Sequence, residues 1–183
     1  MNNSIIIKYV ILFILVIAIL GMWSIGEQQD SHMEPHQAIQ ATEEGLTLIP
    51  AYKGEDQSLY FFIKDRNNLG AVYVNKGIFG WKSGMLTWGP KGSMNNFDKL
   101  GGFQMHGENL VYGLIRLGQE QSVRVDEHEA DLLNLAMLPS SVVQEHHLEG
   151  LFLWYFEMDD QSEYEQVKLL HKDTQEIIQL IEL

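Results

Sequence analysis

The sequence predicts an N-terminal transmembrane helix followed by a mainly-β domain, either a sandwich or a partly open barrel, with one short helix at its start. Three observations predict it. Tyr9–Ile25 runs 17 residues without a charge. Beyond residue 45, short stretches rich in β-branched and aromatic side chains alternate with turn residues. No amphipathic pattern of helical length follows that point, which disfavours a parallel α/β architecture.

The apolar run comes first. Extended back through Ile5, Ile6, Ile7 and Lys8 it reaches the roughly 20 residues that a 30 Å hydrocarbon core needs at about 1.5 Å per residue. Lys8 snorkels to the headgroups at one end, and Trp23 suits the interface at the other. Lys8 stands before the run; Glu27, Asp30 and Glu34 follow it, with no Lys or Arg until Lys53. The positive-inside rule then places the N-terminus in the cytoplasm and the bulk of the chain outside. The competing reading is a signal peptide cleaved near Gly26, which would release a secreted factor. The long apolar core, and bulky Trp23 just upstream of the best cleavage candidate, Ser24-Ile25-Gly26, favour the uncleaved anchor. The expected organisation is therefore a stub and anchor over 1–25, a linker over 26–34 and a β-rich domain over 35–183. The lipid bilayer contacts residues 5–25.

Pro35 opens a short helix, HQAIQATEE, that Gly45 stops. Strands are expected at Leu46–Tyr52, Leu59–Lys64, Ala71–Asn75, Phe79–Trp88, Phe103–His106, Leu110–Leu117, Ser122–Asp126, Leu132–Leu138, Leu151–Met158, Gln166–His171 and Glu176–Ile181. Arg66-Asn67-Asn68 and Lys172-Asp173-Thr174 read as hairpin turns. Glu127–Leu138 also fits a short helix. Gly89–Gly102 is a long irregular segment, a type of loop that more often carries function than a short one.

Composition closes several routes. The 183 residues contain no cysteine, which removes thiol nucleophiles, Cys-based zinc or iron–sulfur centres, disulfides and lipoprotein anchoring. Net charge is −13, concentrated in 101–183, where four Lys/Arg stand against sixteen acids. Such a surface suits solubility and opposes nucleic acid. The apolar run holds no Asp, Glu, His, Asn or Gln, so it lines no ion path. No G-x-S-x-G elbow, S-x-x-K motif, phosphate loop or dinucleotide fingerprint is present. No cofactor is implied.

Two constellations remain. Trp81, Lys82, Trp88, Lys91 and Lys99 set aromatic rings beside cations, a chemistry that grips an anionic envelope polymer or lipid headgroups. The two tryptophans are seven residues apart, so on one regular strand they face opposite sides; a bulge at Gly84 would reunite them. His146 and His147, flanked by Glu145 and Glu149, carry donor types suited to a metal ion, although a strand would point the two imidazoles apart.

The stretch Tyr60–Lys82, with FFIKD, a short turn and GAVYVNKGIFGWK, followed by SGMLTWG, resembles small uncharacterised single-pass membrane proteins of Bacillus-type bacteria with a β-rich extracytoplasmic domain. The resemblance implies a Gram-positive membrane address and supplies no catalytic or ligand-binding residue. Taken together, the expectation is a non-enzymatic, membrane-tethered binding or assembly domain whose partner is an envelope polymer or a membrane protein. A metal-assisted extracytoplasmic enzyme is the alternative from a different class.

Overall fold

The computed structural model describes residues 3–92, 97–100, 103–107, 109–118, 120–159 and 163–183. Helix α1 covers Asn3–Gln29, and its Ile11–Gln29 stretch is long and apolar enough to cross a membrane. None of that stretch is buried against the rest of the protein. The residues expected to form a linker divide in two: 26–29 are the last turn of α1, and His32 is pinned to the β-domain, as described below.

The domain is mainly β. Helix α2, Pro35–Thr42, starts with proline at its first turn, where the missing N–H costs nothing. It precedes an antiparallel sheet of β1 (Thr47–Lys53), β2 (Gln57–Lys64), β3 (Asn68–Gly77), β4 (Gly80–Ser83) and β5 (Thr87–Pro90). Strands β4 and β5 both pair with β3, at opposite ends of it. The single strand expected over Phe79–Trp88 is thus two. Between the pairs Val74↔Ser83 and Ala71↔Thr87, β3 has two residues and the facing chain has three, Gly84–Leu86. The amide of Gly84 still bonds the Tyr73 carbonyl at 2.8 Å, so the irregularity stays on the sheet.

A second sheet orders β10 (Asp131–Asn134), β11 (Phe152–Glu157), β7 (Leu110–Ile115) and β6 (Gln104–His106). A third orders β13 (Ile177–Glu182), β12 (Gln166–His171), β8 (Gln121–Val125) and β9 (His128–Glu129). No described sheet closes into a barrel. Between β10 and β11 the chain makes a 3-10 turn, Leu135–Met137, and helix α3, Ser140–His146. That helix was not expected, because seven residues are too few for a periodic apolar signal.

Alternation builds layers from these sheets. Leu59, Phe61, Ile63, Leu69 and Ala71 of the first sheet share one buried cluster with Leu110, Tyr112, Leu114, Leu153 and Tyr155 of the second. The rings of Tyr112 and Tyr155 lie 5.1 Å and 5.4 Å from that of Phe61. The opposite face of the second sheet, through Val111, Ile115 and Trp154, packs on Val123, Val125, Val167 and Leu169 of the third. The outer face of the first sheet, with Phe62, Val72 and Val74, is covered by Ala38 and Ile39 of α2. The second sheet is therefore buried on both sides, which is why LVYGLI reads as a continuous apolar run rather than an alternating one.

The segment Gly89–Gly102 is stitched to these layers where it is described. Phe97 enters the first cluster and Leu100 the second. The Leu100 amide donates to Gln179 Oε1 at 2.9 Å, and the Gln179 side-chain amide donates back to the Leu100 carbonyl at 3.0 Å. Residues 93–96 and 101–102 lie outside the described part.

Candidate functional site

The inner faces of the first and second sheets continue to a shared rim, and there their side chains turn from apolar to polar. Tyr73 follows Leu69 and Ala71 on the inner face of β3. Glu157 follows Leu153 and Tyr155 on β11. His106 and Gln104 stand opposite Leu110 and Tyr112, so they face the same way. Tyr52 joins them through a bulge. Pro50 pairs with Tyr60 and Tyr52 with Leu59, which leaves Ala51 as an extra residue. Regular pairing would set Ala51 opposite Leu59 and send Tyr52 to the outer face of Leu48 and Pro50; the bulge turns Tyr52 inward.

These groups touch. Both phenols donate to one carboxylate oxygen, Glu157 Oε1, Tyr73 at 2.7 Å and Tyr52 at 3.0 Å. The Tyr73 and His106 rings are 5.5 Å apart. The hydroxyl of Thr87 shares a hydrogen bond with Nδ1 of His106, fixing that ring. Tyr112 donates to Gln104 Oε1 at 3.1 Å just beneath. A hollow of about 420 Å³ opens here, lined by Gln57, Tyr73, His106, Asn109, Glu157 and Met158, with the backbone of Gly107.

Electrostatics fix the protonation of the cradle. Burial, then the Glu157 hydrogen bond and charge, push the Tyr52 and Tyr73 hydroxyls well above the usual phenol range, so both stay donors. Burial lowers the His106 imidazole below its ordinary value, so it is neutral at pH 7. Glu157 is exposed and is the only acidic or basic side chain other than His106 among the described residues lining the hollow. A carboxylate offers about four lone-pair sites, and the phenols occupy two of them. The arrangement is a hydrogen-bonding seat with aromatic walls and a negative floor.

The aromatic-and-lysine region expected from the sequence is partly dispersed. Trp81 stands opposite Lys76 and Trp88 opposite Gly70, six residues apart on β3, so the tryptophans share a face. The extra residue in Gly84–Leu86 reunites them. Their exposure differs: Trp81 is 4 % exposed within the cluster containing Ala38 and Ile39 of α2, whereas Trp88 is 46 % exposed. Lys64 Nζ sits 4.0 Å from the Trp88 ring centroid. Lys82 is held by Glu27 at 2.6 Å. Lys91, its charge disfavoured by burial, donates to the His146 carbonyl at 2.7 Å. Lys99 is exposed.

His146 and His147 end a helix, not a strand. His146 is buried, with Nε2 hydrogen-bonded to the Thr47 hydroxyl at 3.0 Å. His147 is exposed and takes the left-handed conformation that closes α3, at φ 53°. Among the described residues no three His, Asp or Glu side chains converge as a metal-binding group.

Sequence reasoning missed Tyr52, Tyr73, His106 and Glu157. The one available hint was Glu157 itself, a carboxylate at inner-face parity closing the apolar strand LFLWYFE. No family model, curated protein or solved structure matches the chain.

Proposed function

We propose that this chain is a single-pass, membrane-anchored binding protein that displays a layered, sandwich-like β-domain outside the cytoplasm. The anchor reading rests on the charge-free run in α1 and the acids that follow it. The ligand seat is the rim hollow. The observation that carries it is the convergence of two donor phenols and a neutral imidazole around Glu157 from four separate strands. A negative floor between aromatic walls selects a ligand that brings positive charge or hydrogen-bond donors, an ammonium group first among them. An amine-bearing envelope polymer or a basic segment of a membrane protein has that chemistry.

The test is retention of the detergent-solubilised full chain on an immobilised amine-bearing polysaccharide and on its N-acetylated counterpart. Wild type and Trp88→Ala should be held by the amine form, while Glu157→Gln and Tyr73→Phe should be released. Equal retention of all four proteins on both supports would discard the seat. Loss with Trp88→Ala alone would move the site to the second candidate surface, which the half-exposed Trp88 beside Lys64 favours.

A further inference from the structure

The junction between α1 and the first sheet is built rather than slack. Glu27, in the last turn of α1, accepts from Lys82 of β4 at 2.6 Å. Three residues past the helix, His32 exchanges two backbone hydrogen bonds with Trp81, at 2.9 Å and 2.8 Å. Gly80 makes this approach possible: it sits at φ +138°, and a Cβ there would lie 2.5 Å from the His32 carbonyl oxygen. The connection fixes where β4 stands relative to the helix.

That position has a consequence for depth. Glu27 is two residues past Ile25, about 3 Å along the helix axis beyond the charge-free run. The interfacial layer is about 5–7 Å thick on each side of a bilayer. The Glu27–Lys82 ion pair, and with it β4, therefore stands at headgroup level once α1 spans. Ile78, at the tip of the β3–β4 hairpin, is four residues from Lys82, at most about 13 Å of extended chain. Three large apolar side chains cluster at this end with little cover: Ile78 is 89 % exposed, Met33 88 % and Phe79 39 %. Met33 and Phe79 line one hollow with Lys53 and Lys76, and with the acids Glu34, Glu55 and Asp56.

We infer that the β3–β4 hairpin tip is a second membrane contact, with Ile78, Phe79 and Met33 seated in the interface of the same bilayer that α1 crosses. The occupant is the lipid surface, because the tip is tied within a few residues of the point where the apolar run ends. Lys53 is held by Glu34 at 2.6 Å, which leaves the Lys76 amine beside the apolar tip as the cation for a headgroup phosphate, while the apolar side chains meet acyl chains. The contact would fix the tilt of the domain, so that its rim faces one direction instead of sampling many.

This inference rests on the anchor reading, and one experiment separates their failures. The chain has no cysteine, so Ile78→Cys and Phe13→Cys each give a single labelling site for an environment-sensitive fluorophore in the full chain reconstituted in phosphatidylcholine–phosphatidylglycerol vesicles. The label at 78 should be blue-shifted, quenched by headgroup-nitroxide lipid and shielded from aqueous iodide. The label at 13 should be quenched by nitroxide deep in the acyl chains. A quenched label at 13 with one at 78 as open to iodide as free dye overturns the hairpin contact and leaves the anchor standing. An unquenched label at 13 overturns both. Gly80→Ala, which breaks the His32 junction, should return the label at 78 toward the aqueous signal.

Discussion

Replacing Tyr73 by phenylalanine and Glu157 by glutamine, singly and together, measures whether the rim cradle is a coupled unit. The geometry sets the scale. Hydrogen bonds to an ionised partner contribute about 1.5–3 kcal/mol when dry, but Glu157 is exposed and water competes for it. The coupling between Tyr73 and Glu157 is accordingly about 0.5–1.5 kcal/mol. Urea denaturation of the four proteins in one detergent, followed by circular dichroism, gives it directly. A second readout is spectroscopic. Burial and Glu157 together hold the Tyr52 and Tyr73 protons in place, so Glu157→Gln removes the carboxylate's share and both phenols should ionise at lower pH, seen as tyrosinate absorbance. Coupling below about 0.3 kcal/mol, with unchanged phenol titration, would refute a shared carboxylate.

Three further outcomes follow from the layers and the junction. Phe61→Ala removes a fully buried ring that touches Tyr112 and Tyr155 across the first and second sheets; it should cost about 3–5 kcal/mol, against less than about 1 kcal/mol for half-exposed Trp88→Ala, both read from urea midpoints. The pH dependence has a defined sign. Burial lowers His106 and His146 from 6.5, so the unfolded chain binds the proton more readily; the stability they contribute is complete above pH 6.5 and is lost as pH falls through their folded values. The urea midpoint should fall on moving from pH 7.5 toward pH 5, and His106→Gln should flatten that fall. The Glu34 and Glu127 carboxylates, lowered from 4.5 by hydrogen bonds to Lys53 and Lys168, act only at more acid pH. Gly80→Ala should speed cleavage by a glutamate-specific protease at Glu27 or Glu34 while leaving the urea midpoint of the domain nearly unchanged.

Much of the secondary structure is legible in the chain because it depends on local chemistry. The apolar run, the proline that opens α2 and the hairpin turns are each decided within a few residues. The failures have equally local causes. Phe79–Trp88 keeps its β-type composition except at Gly84, which marks a possible bulge on one strand but not the break that divides β4 from β5. Helix α3 is too short to show a period, and its closing residue, His147, adopts a conformation usually left to glycine. What composition does not reach is which faces meet. LVYGLI says that β7 is buried on both sides but not which sheets bury it, and neither Trp81 nor Trp88 reveals that α2 covers only the first.

The same limit explains where the candidate seat lies. The second sheet, covered on both faces, has no surface left on which to meet a ligand, so its chemistry is confined to its edges and rims. At the rim between the first and second sheets, inner-face parity continues past the last apolar layer, and the next inward residues, Tyr73 and Glu157, are polar. Parity alone would have left that pair without Tyr52. One extra residue, Ala51, turns a side chain that regular pairing would send to the outer face, and so brings the second phenol to Glu157. Deleting Ala51 should therefore restore regular pairing between β1 and β2 with the tyrosine, now next after Pro50, still opposite Leu59 and both phenols kept at Glu157; the geometry of the seat depends on a register that no composition signal announces.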